Sequence, residues 1–320
     1  MSRLIHVGNA IVDVALTVSG LPERGGDVIA SATSLTAGGA VNTLVAAARD
    51  GLPAVHAGVR GTGPFADVVA AALETAGVEA IGPVARDVDT GFSIVLVEPS
   101  AERTFVTSVG AEARLSQPDL AQVEVEAGDV IVVTGYALQH SGVAIASWLS
   151  TVPVEATVVV DPSPIVATLD PGTLAAVLAR ADVLTANARE ARLMVGGGAG
   201  AGAAGDAVAL AALLRPCAAA LVRDGVDGCW VAVAPGVPDA TDVPRAAERA
   251  AHHVPGFAVT AVDTTGAGDA HCGVLCAALS RAEPLVDAVR RANAAAALAV
   301  TRRGPATSPA SAEIDALLAA

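Results

Sequence analysis

Val130-Ile131-Val132-Val133-Thr134 and Thr157-Val158-Val159-Val160-Asp161 are short, unbroken β-branched runs set among alanine-rich stretches of helical length. A strand with one wet face alternates apolar and polar residues. A run apolar on both sides belongs in a sheet covered on both faces, and that requires parallel strands joined by helical crossovers. Further strands are predicted at Leu4 to Ala10, Ala54 to Val59, Val183 to Thr185 and Ala219 to Val222. Helices are predicted at about Asn42 to Asp50, Phe65 to Ala76, Thr173 to Ala181, Ala188 to Val195 and Ala207 to Leu214. The fold class is α/β: doubly wound, with a mostly parallel central sheet flanked by helices.

Two stretches break that rhythm. Asp27 to Thr36 and Thr90 to Ser108 read as strands with partly polar alternation, the second a hairpin turning at Glu98-Pro99-Ser100-Ala101. Neither is long enough for a core of its own. They are expected to form a small projecting β-sheet lid, with lid segments at about 14–36 and 90–110 inserted in one domain spanning 1–320. After Gly256 a glycine loop leads to helices at Ala270 to Leu279, Pro284 to Val300 and Ser311 to Leu318.

Composition removes several function classes. The 19 basic residues are all arginine, against 33 acids, for a formal net charge of -14. Nothing supplies the basic stripe that displaces counterions from nucleic acid, so nucleic acid is not expected as a partner. Without lysine there is no Schiff base and no P-loop lysine, and phosphate would have to be held by arginine, backbone amides or a metal. Asp13 interrupts the N-terminal apolar run before a signal sequence could form. The uncharged stretch between Asp129 and Glu155 is cut by Gly135, Gln139, His140, Gly142 and Pro153 rather than spanning a membrane. Cys217, Cys229, Cys272 and Cys276 have no metal-ligand cadence and suit a reducing compartment. A cytoplasmic protein is expected.

Three motifs carry chemistry. In Asp263-Thr264-Thr265-Gly266-Ala267-Gly268-Asp269-Ala270, a glycine turn runs straight into a helix, whose first amides would cradle an anion. Asp269 at the mouth of that cradle would repel phosphate unless it takes a proton from an attacking hydroxyl. In Gly38-Gly39-Ala40-Val41-Asn42, the glycines permit close approach of a ligand and Asn42 offers a donor and an acceptor. Asn187 and Glu190, at a strand end entering a helix, either order water around magnesium or form a capping box. Gly200-Ala201-Gly202-Ala203-Ala204-Gly205 matches the dinucleotide pattern, but it follows a helix rather than a strand and reads as an inter-helix loop. Arg290-Arg291 and Arg302-Arg303 read as solvated helix ends.

Taken in order over nearly the whole chain, from Gly8 and Asp13 to Arg302-Arg303-Gly304, these motifs resemble the ribokinase-like carbohydrate kinases of the PfkB family. The resemblance implies ATP-dependent phosphorylation of a hydroxyl on a small sugar, with Mg2+ and with a K+ that some members dispense with. It implies that Asp269 is the catalytic base and that Gly266, Ala267 and Gly268 form the anion hole. Asp13, Gly38, Gly39 and Asn42 would hold the sugar. Asn187, Gly225, Gly228, Gly266, Gly268 and Asn293 would line the nucleotide. Asn187 and Glu190 would hold Mg2+ through water, and Asp263 and Thr265 would bind K+.

The departures fall mainly on the sugar pocket and lid. Gly61-Thr62-Gly63-Pro64-Phe65-Ala66 lacks the aspartate usual there, Arg223-Asp224 replaces a threonine and a hydrophobe, His271 replaces a phenylalanine, and Ile11 replaces an asparagine. Gln139 is the nearest polar candidate for a glutamate used on ribose. Nucleoside, keto-deoxy sugar-acid and sugar-phosphate kinases are the alternatives, with Phe92 and Phe105 favouring a nucleoside and Arg24 and Arg103 an acidic acceptor. A non-catalytic sugar or nucleotide sensor is a remoter one. A homodimer joined through the lid is expected, since paired lids hide their sheet edges.

Overall fold

A run such as Val130 to Thr134 cannot lie at a surface, and it does not. A computed structural model describes residues 2–100, 102–196, 202–236 and 250–320. Its strands are β1 (Leu4–His6), β2 (Ala10–Thr17), β3 (Ala32–Gly39), β4 (Ala54–His56), β5 (Glu79–Ala80), β6 (Phe92–Val97), β7 (Arg103–Ser108), β8 (Val130–Thr134), β9 (Thr157–Asp161), β10 (Val183–Asn187), β11 (Ala219–Arg223), β12 (Gly228–Val233) and β13 (His252–Pro255). Its helices are α1 (Ala40–Arg49), α2 (Pro64–Thr75), α3 (Gln117–Leu120), α4 (Gly135–Leu149), α5 (Pro171–Leu178), α6 (Ala188–Met194), α7 (Ala203–Ala211), α8 (Ala267–Ser280), α9 (Leu285–Ala299) and α10 (Ser311–Leu318).

The large sheet has the order β13-β12-β11-β10-β9-β8-β1-β4-β5. Every neighbouring pair from β11 to β5 is parallel, and β12 and β13 extend the β11 edge antiparallel. Alternate residues of β8 and β9 feed opposite layers. Ile131, Val133, Val158 and Val160 pack with Ile145 and Trp148 of α4, while Val130, Val132 and Val159 pack with Leu44 of α1 and Leu275 of α8. The chain moves outward from β1 to β4 and β5, then returns to β8 and proceeds the other way. That reversal leaves a crevice at the carboxyl ends of the central strands, where open α/β sheets bind ligands.

The small sheet has the order β3-β2-β6-β7. The predicted strand from Leu4 to Ala10 is two strands: β1 stops at His6, and Ala10 already belongs to β2 in the other sheet. The small-sheet strand predicted from Asp27 to Thr36 also moves, because Asp27 to Ser31 form no strand and β3 continues to Gly39. Its limits are set by residue-for-residue pairing with β2, from Ala10 opposite Gly39 to Thr17 opposite Ala32. Cross-strand pairing overrides the weak local preference of Gly38 and Gly39. The segment predicted from about 14 to 36 therefore runs from 10 to 39.

Three local corrections follow from capping and pairing. The aspartate missing from Gly61 to Ala66 is supplied by Asp89, whose carboxylate accepts the Phe65 and Ala66 amides at 3.1 and 2.9 Å and so caps α2. Ala203 to Gly205 lie in α7 rather than in a loop, whereas Gly200 and Ala201 fall outside the described residues. Arg291 is not a solvated helix end: it is buried and, with Arg281, pairs with the fully buried carboxylate of Asp50 at the end of α1.

Candidate active site

A cavity of about 380 Å³ opens at the crevice. Its floor is built from the ends of five adjacent strands: His6, Thr134, Asp161, Asn187 and Arg223. Gly266, Ala267, Gly268 and Asp269 form one wall, and Arg103 and Phe105 reach in from β7.

Gly266 occupies the left-handed region at φ 73° and turns the chain into α8. The Ala267 amide is spent on the Thr264 carbonyl at 3.3 Å, so it is not free for an anion. The amides of Gly268 and Asp269 find no backbone acceptor among the described residues. They are the ones left, with the positive end of the helix dipole, to meet a negative group.

The position of Asp269 depends on how closely α8 approaches α1. A Cβ on Gly273 would stand 2.4 Å from the Thr43 carbonyl oxygen, so only glycine allows this contact. The approach brings the Asn42 amide to donate to Asp269 Oδ2 at 2.9 Å and the Thr43 hydroxyl to Oδ1 at 3.5 Å. Burial raises the Asp269 carboxyl above its ordinary value, Asp161 pushes it further, and the Asn42 bond and Arg223 pull against them. Asp13, on β2, is raised to about 6 by burial and then by the charge of Asp269. Gly38 is its diagonal neighbour on β3, and a Cβ there would lie 2.4 Å from Asp13 Oδ2.

Asn187 and Glu190 do form the capping box, the Asn187 amide donating to Glu190 Oε2 at 2.8 Å and the Glu190 amide to Asn187 Oδ1 at 2.9 Å. Both also line the cavity. Glu190 is raised to about 6 by burial and by Asp161, with Arg223 opposing. Arg223 Nη2 lies 3.0 Å from Asp161 and 3.6 Å from Glu190, and Nη1 donates to the Gly268 carbonyl at 3.3 Å. One guanidinium thus faces two carboxylates, those of Asp161 and Glu190, with Asp269 close enough to feel its charge. This donor set fits a hydrated divalent cation; among the described residues no three ligands converge to hold a bare one.

The potassium expectation does not fit. Asp263 Oδ1 accepts from Arg103 Nη2, from the Thr265 amide at 2.9 Å and from the Thr265 hydroxyl at 2.7 Å, while Oδ2 accepts the Gly304 amide at 3.0 Å. Oδ1, with about two lone-pair positions, already takes three donors and has none left for a metal ion, while Oδ2 takes one. Burial works against ionisation, but the Thr265 and Gly304 amides, the Thr265 hydroxyl and Arg103 hold the group down at about 2.

The remaining expected residues lie apart. Gly225 and Gly228 do not line this cavity, and a Cβ on Gly228 would meet the Val254 carbonyl at 2.3 Å, so its glycine serves the β12–β13 pairing. The Asn293 amide donates to the Val254 and Pro255 carbonyls at 3.0 and 3.2 Å, tying α9 to β13. Gln139 and Arg24 are exposed and away from the cavity. Sequence reasoning gave no role in the site to Asp161, Thr43 or Tyr136 and treated Arg223 only as a departure. Asp161 and Arg223 each end an apolar run that was predicted as a strand, and at a strand's carboxyl end a charged residue faces the crevice.

A family model described as pfkB family carbohydrate kinase matches residues 1–312. The chain is 29% identical over 314 residues to the uncharacterized sugar kinase YegV of Escherichia coli, covering 95% of this chain and 90% of that protein. It is 31% identical over 324 residues to an ATP-dependent ribose-1-phosphate kinase of Halopiger xanaduensis, covering 99% and 98%. The fold matches the crystal structure of ribokinase from Thermotoga maritima with a TM-score of 0.80 at 22% identity, covering all of both chains.

Proposed function

This chain belongs to the pfkB family of carbohydrate kinases, and we propose from that premise how its residues divide the work of an ATP-dependent sugar kinase. The observation that carries the proposal is the Asp269 carboxylate, hydrogen-bonded by Asn42 and raised by burial, on the same helical turn as two uncommitted amides. Asp269 accepts the proton of the sugar hydroxyl as its oxygen bonds to the γ-phosphorus. The bond to the β-phosphate oxygen breaks, and ADP leaves. Gly266 and Gly268 shape the anion hole and the Gly268 and Asp269 amides receive the charge on the transferring phosphoryl group. Asn42 and Thr43 hold the base in place, and Asp13, Gly38 and Gly39 bound the sugar.

Asn187 and Glu190 would hold Mg2+ through water, and that ion would supply neutralisation of phosphate charge. Gly225, Gly228 and Asn293 shape the nucleotide side through backbone placement. The small sheet is a lid on a single domain of 1–320, and it excludes water from the reacting phosphate. The exposed apolar side chains of Leu35 and Val106, in one cross-strand row of that sheet, support a homodimer formed through it. No helix among the described residues is long and apolar enough to cross a membrane, and the cytoplasm, where ATP is supplied, is the proposed location.

The acceptor is a primary hydroxyl of a small uncharged sugar. Both arginines lining the cavity are already paired, Arg103 with Asp263 and Arg223 with Asp161 and Glu190. A phosphate-bearing acceptor is the second reading, favoured by the ribose-1-phosphate kinase relative. ADP release across pentoses, hexoses, sugar acids, sugar phosphates and nucleosides separates the two. With the best acceptor, Asp269→Asn should bind ATP at least as well as the parent and lose about 10²- to 10⁴-fold in turnover. A loss of only about threefold, well under 1 kcal/mol, would remove Asp269 from the role of base.

A further inference from the structure

Asp263 anchors the loop that shapes the anion cradle. The Val262 and Asp263 amides donate to the Val300 carbonyl at the end of α9, at 2.7 and 3.1 Å. The Asp263 carboxylate holds the amides of Thr265 and Gly304. The next residue after Thr265 is Gly266, whose left-handed turn starts α8 and aims its first amides at the cavity. A carboxylate so placed needs a positive counterion, because its side chain is only 17% exposed.

The counterion present is a side chain. Arg103 belongs to β7 of the small sheet, 160 residues from Asp263 in sequence, and its guanidinium is also partly buried at 22% exposure. Arg103 and Phe105 line the cavity from the same strand. A monovalent metal ion at Asp263 Oδ1 would have to displace a guanidinium that is always charged and covalently tethered.

We propose that Arg103 is the resident cation of Asp263, so that this enzyme needs no monovalent metal ion, and that the ion pair makes seating of the lid and ordering of the anion cradle one event. The tether removes dependence on salt composition and replaces it with dependence on lid position. When β7 lifts, Asp263 loses its counterion and the Thr265–Gly266 turn loses part of its support. The cradle is fully formed only with the lid seated.

The activity arm of the test rests on the kinase reading; the binding and melting arms do not. The full chain is compared in potassium chloride and choline chloride at equal ionic strength. ADP formation with the best sugar is followed alongside thermal melting and binding of Tl+, a potassium surrogate seen by 205Tl NMR. The parent should change by less than about twofold in rate between the salts, melt at the same temperature in both, and show no saturable Tl+ site. Arg103→Ala should lose about tenfold in choline, recover in part with potassium, and gain a saturable Tl+ site and a potassium-dependent rise in melting temperature. Arg103→Lys, which keeps the charge, should remain indifferent to potassium.

Activation of the parent by potassium of more than about fivefold would overturn the proposal, as would saturable Tl+ binding by the parent. So would an Arg103→Ala variant indistinguishable from the parent in both salts. Failure to form ADP with every sugar in either salt would count against the kinase reading instead, while melting and Tl+ binding would still decide the question of Arg103.

Discussion

Replacing Asp13 by asparagine should stabilise the protein at neutral pH and much less in acid. The Asp13 carboxyl titrates at about 6 in the folded protein against an ordinary value of 3.8, because it is buried and faces Asp269. A folded-state value above the unfolded one means that ionisation opposes folding. The penalty is absent below the unfolded value, grows between 3.8 and about 6, and is constant above. At pH 7.5 the fully developed cost is about 3 kcal/mol, and at pH 4.5 only about 1 kcal/mol of it is present. Asparagine keeps the shape, and the β2 backbone pairing with Thr36 and Ser93 does not depend on the side chain. Urea unfolding of parent and Asp13→Asn at the two pH values measures the difference directly. The variant should gain about 2 kcal/mol more at pH 7.5 than at pH 4.5. Equal gains at both pH values, or a loss at pH 7.5, would refute the claim that Asp13 carries a confined charge. Sugar KM should rise in the same variant if the group that costs stability is, as proposed, the one that bounds the sugar.

Two further outcomes are expected. Asp50→Asn removes the buried carboxylate of Arg291, which keeps only the exposed Asp315 as an ionic partner, and should cost about 3–5 kcal/mol in urea unfolding, with kcat unchanged because the network lies at the far end of α1; unchanged stability would show that the network carries no net energy. Glu190→Gln should raise the magnesium concentration needed for half-maximal rate by about tenfold while lowering the melting temperature little, since glutamine keeps an acceptor for the Asn187 amide. An unchanged magnesium titration with a clear drop in melting temperature would return Glu190 to a purely capping role.

What could be read from the sequence was whatever depends on neighbours along the chain. The parallel sheet follows from the β-branched runs at Val130 and Thr157, and the wall of the cavity from the glycine turn running into α8. Contacts made across the fold were illegible. Asp89 caps α2 from a separate loop, and the Gly273 contact that sets the Asn42–Asp269 bond lies between helices more than 200 residues apart. Arg223 looked like an oddity in a glycine motif because its partners come from elsewhere in the chain, Asp161 from the end of β9 and Glu190 from the first turn of α6. Arg291 looked solvated because nothing local announces Asp50.

The run from β3 into α1 has no connecting loop: Gly39 ends the strand and Ala40 begins the helix. Three residues later the same segment carries Asn42 and Thr43, whose side chains hold Asp269. The small sheet is therefore not a cassette. A chimaera that exchanged it at the Gly39–Ala40 junction would part Gly38 and Gly39, proposed to bound the sugar, from Asn42 and Thr43, which hold Asp269, while one that exchanged only the segments joining β2 to β3 and β6 to β7 would leave that junction intact. Those two connections are where the sheet can vary without disturbing the hold on Asp269.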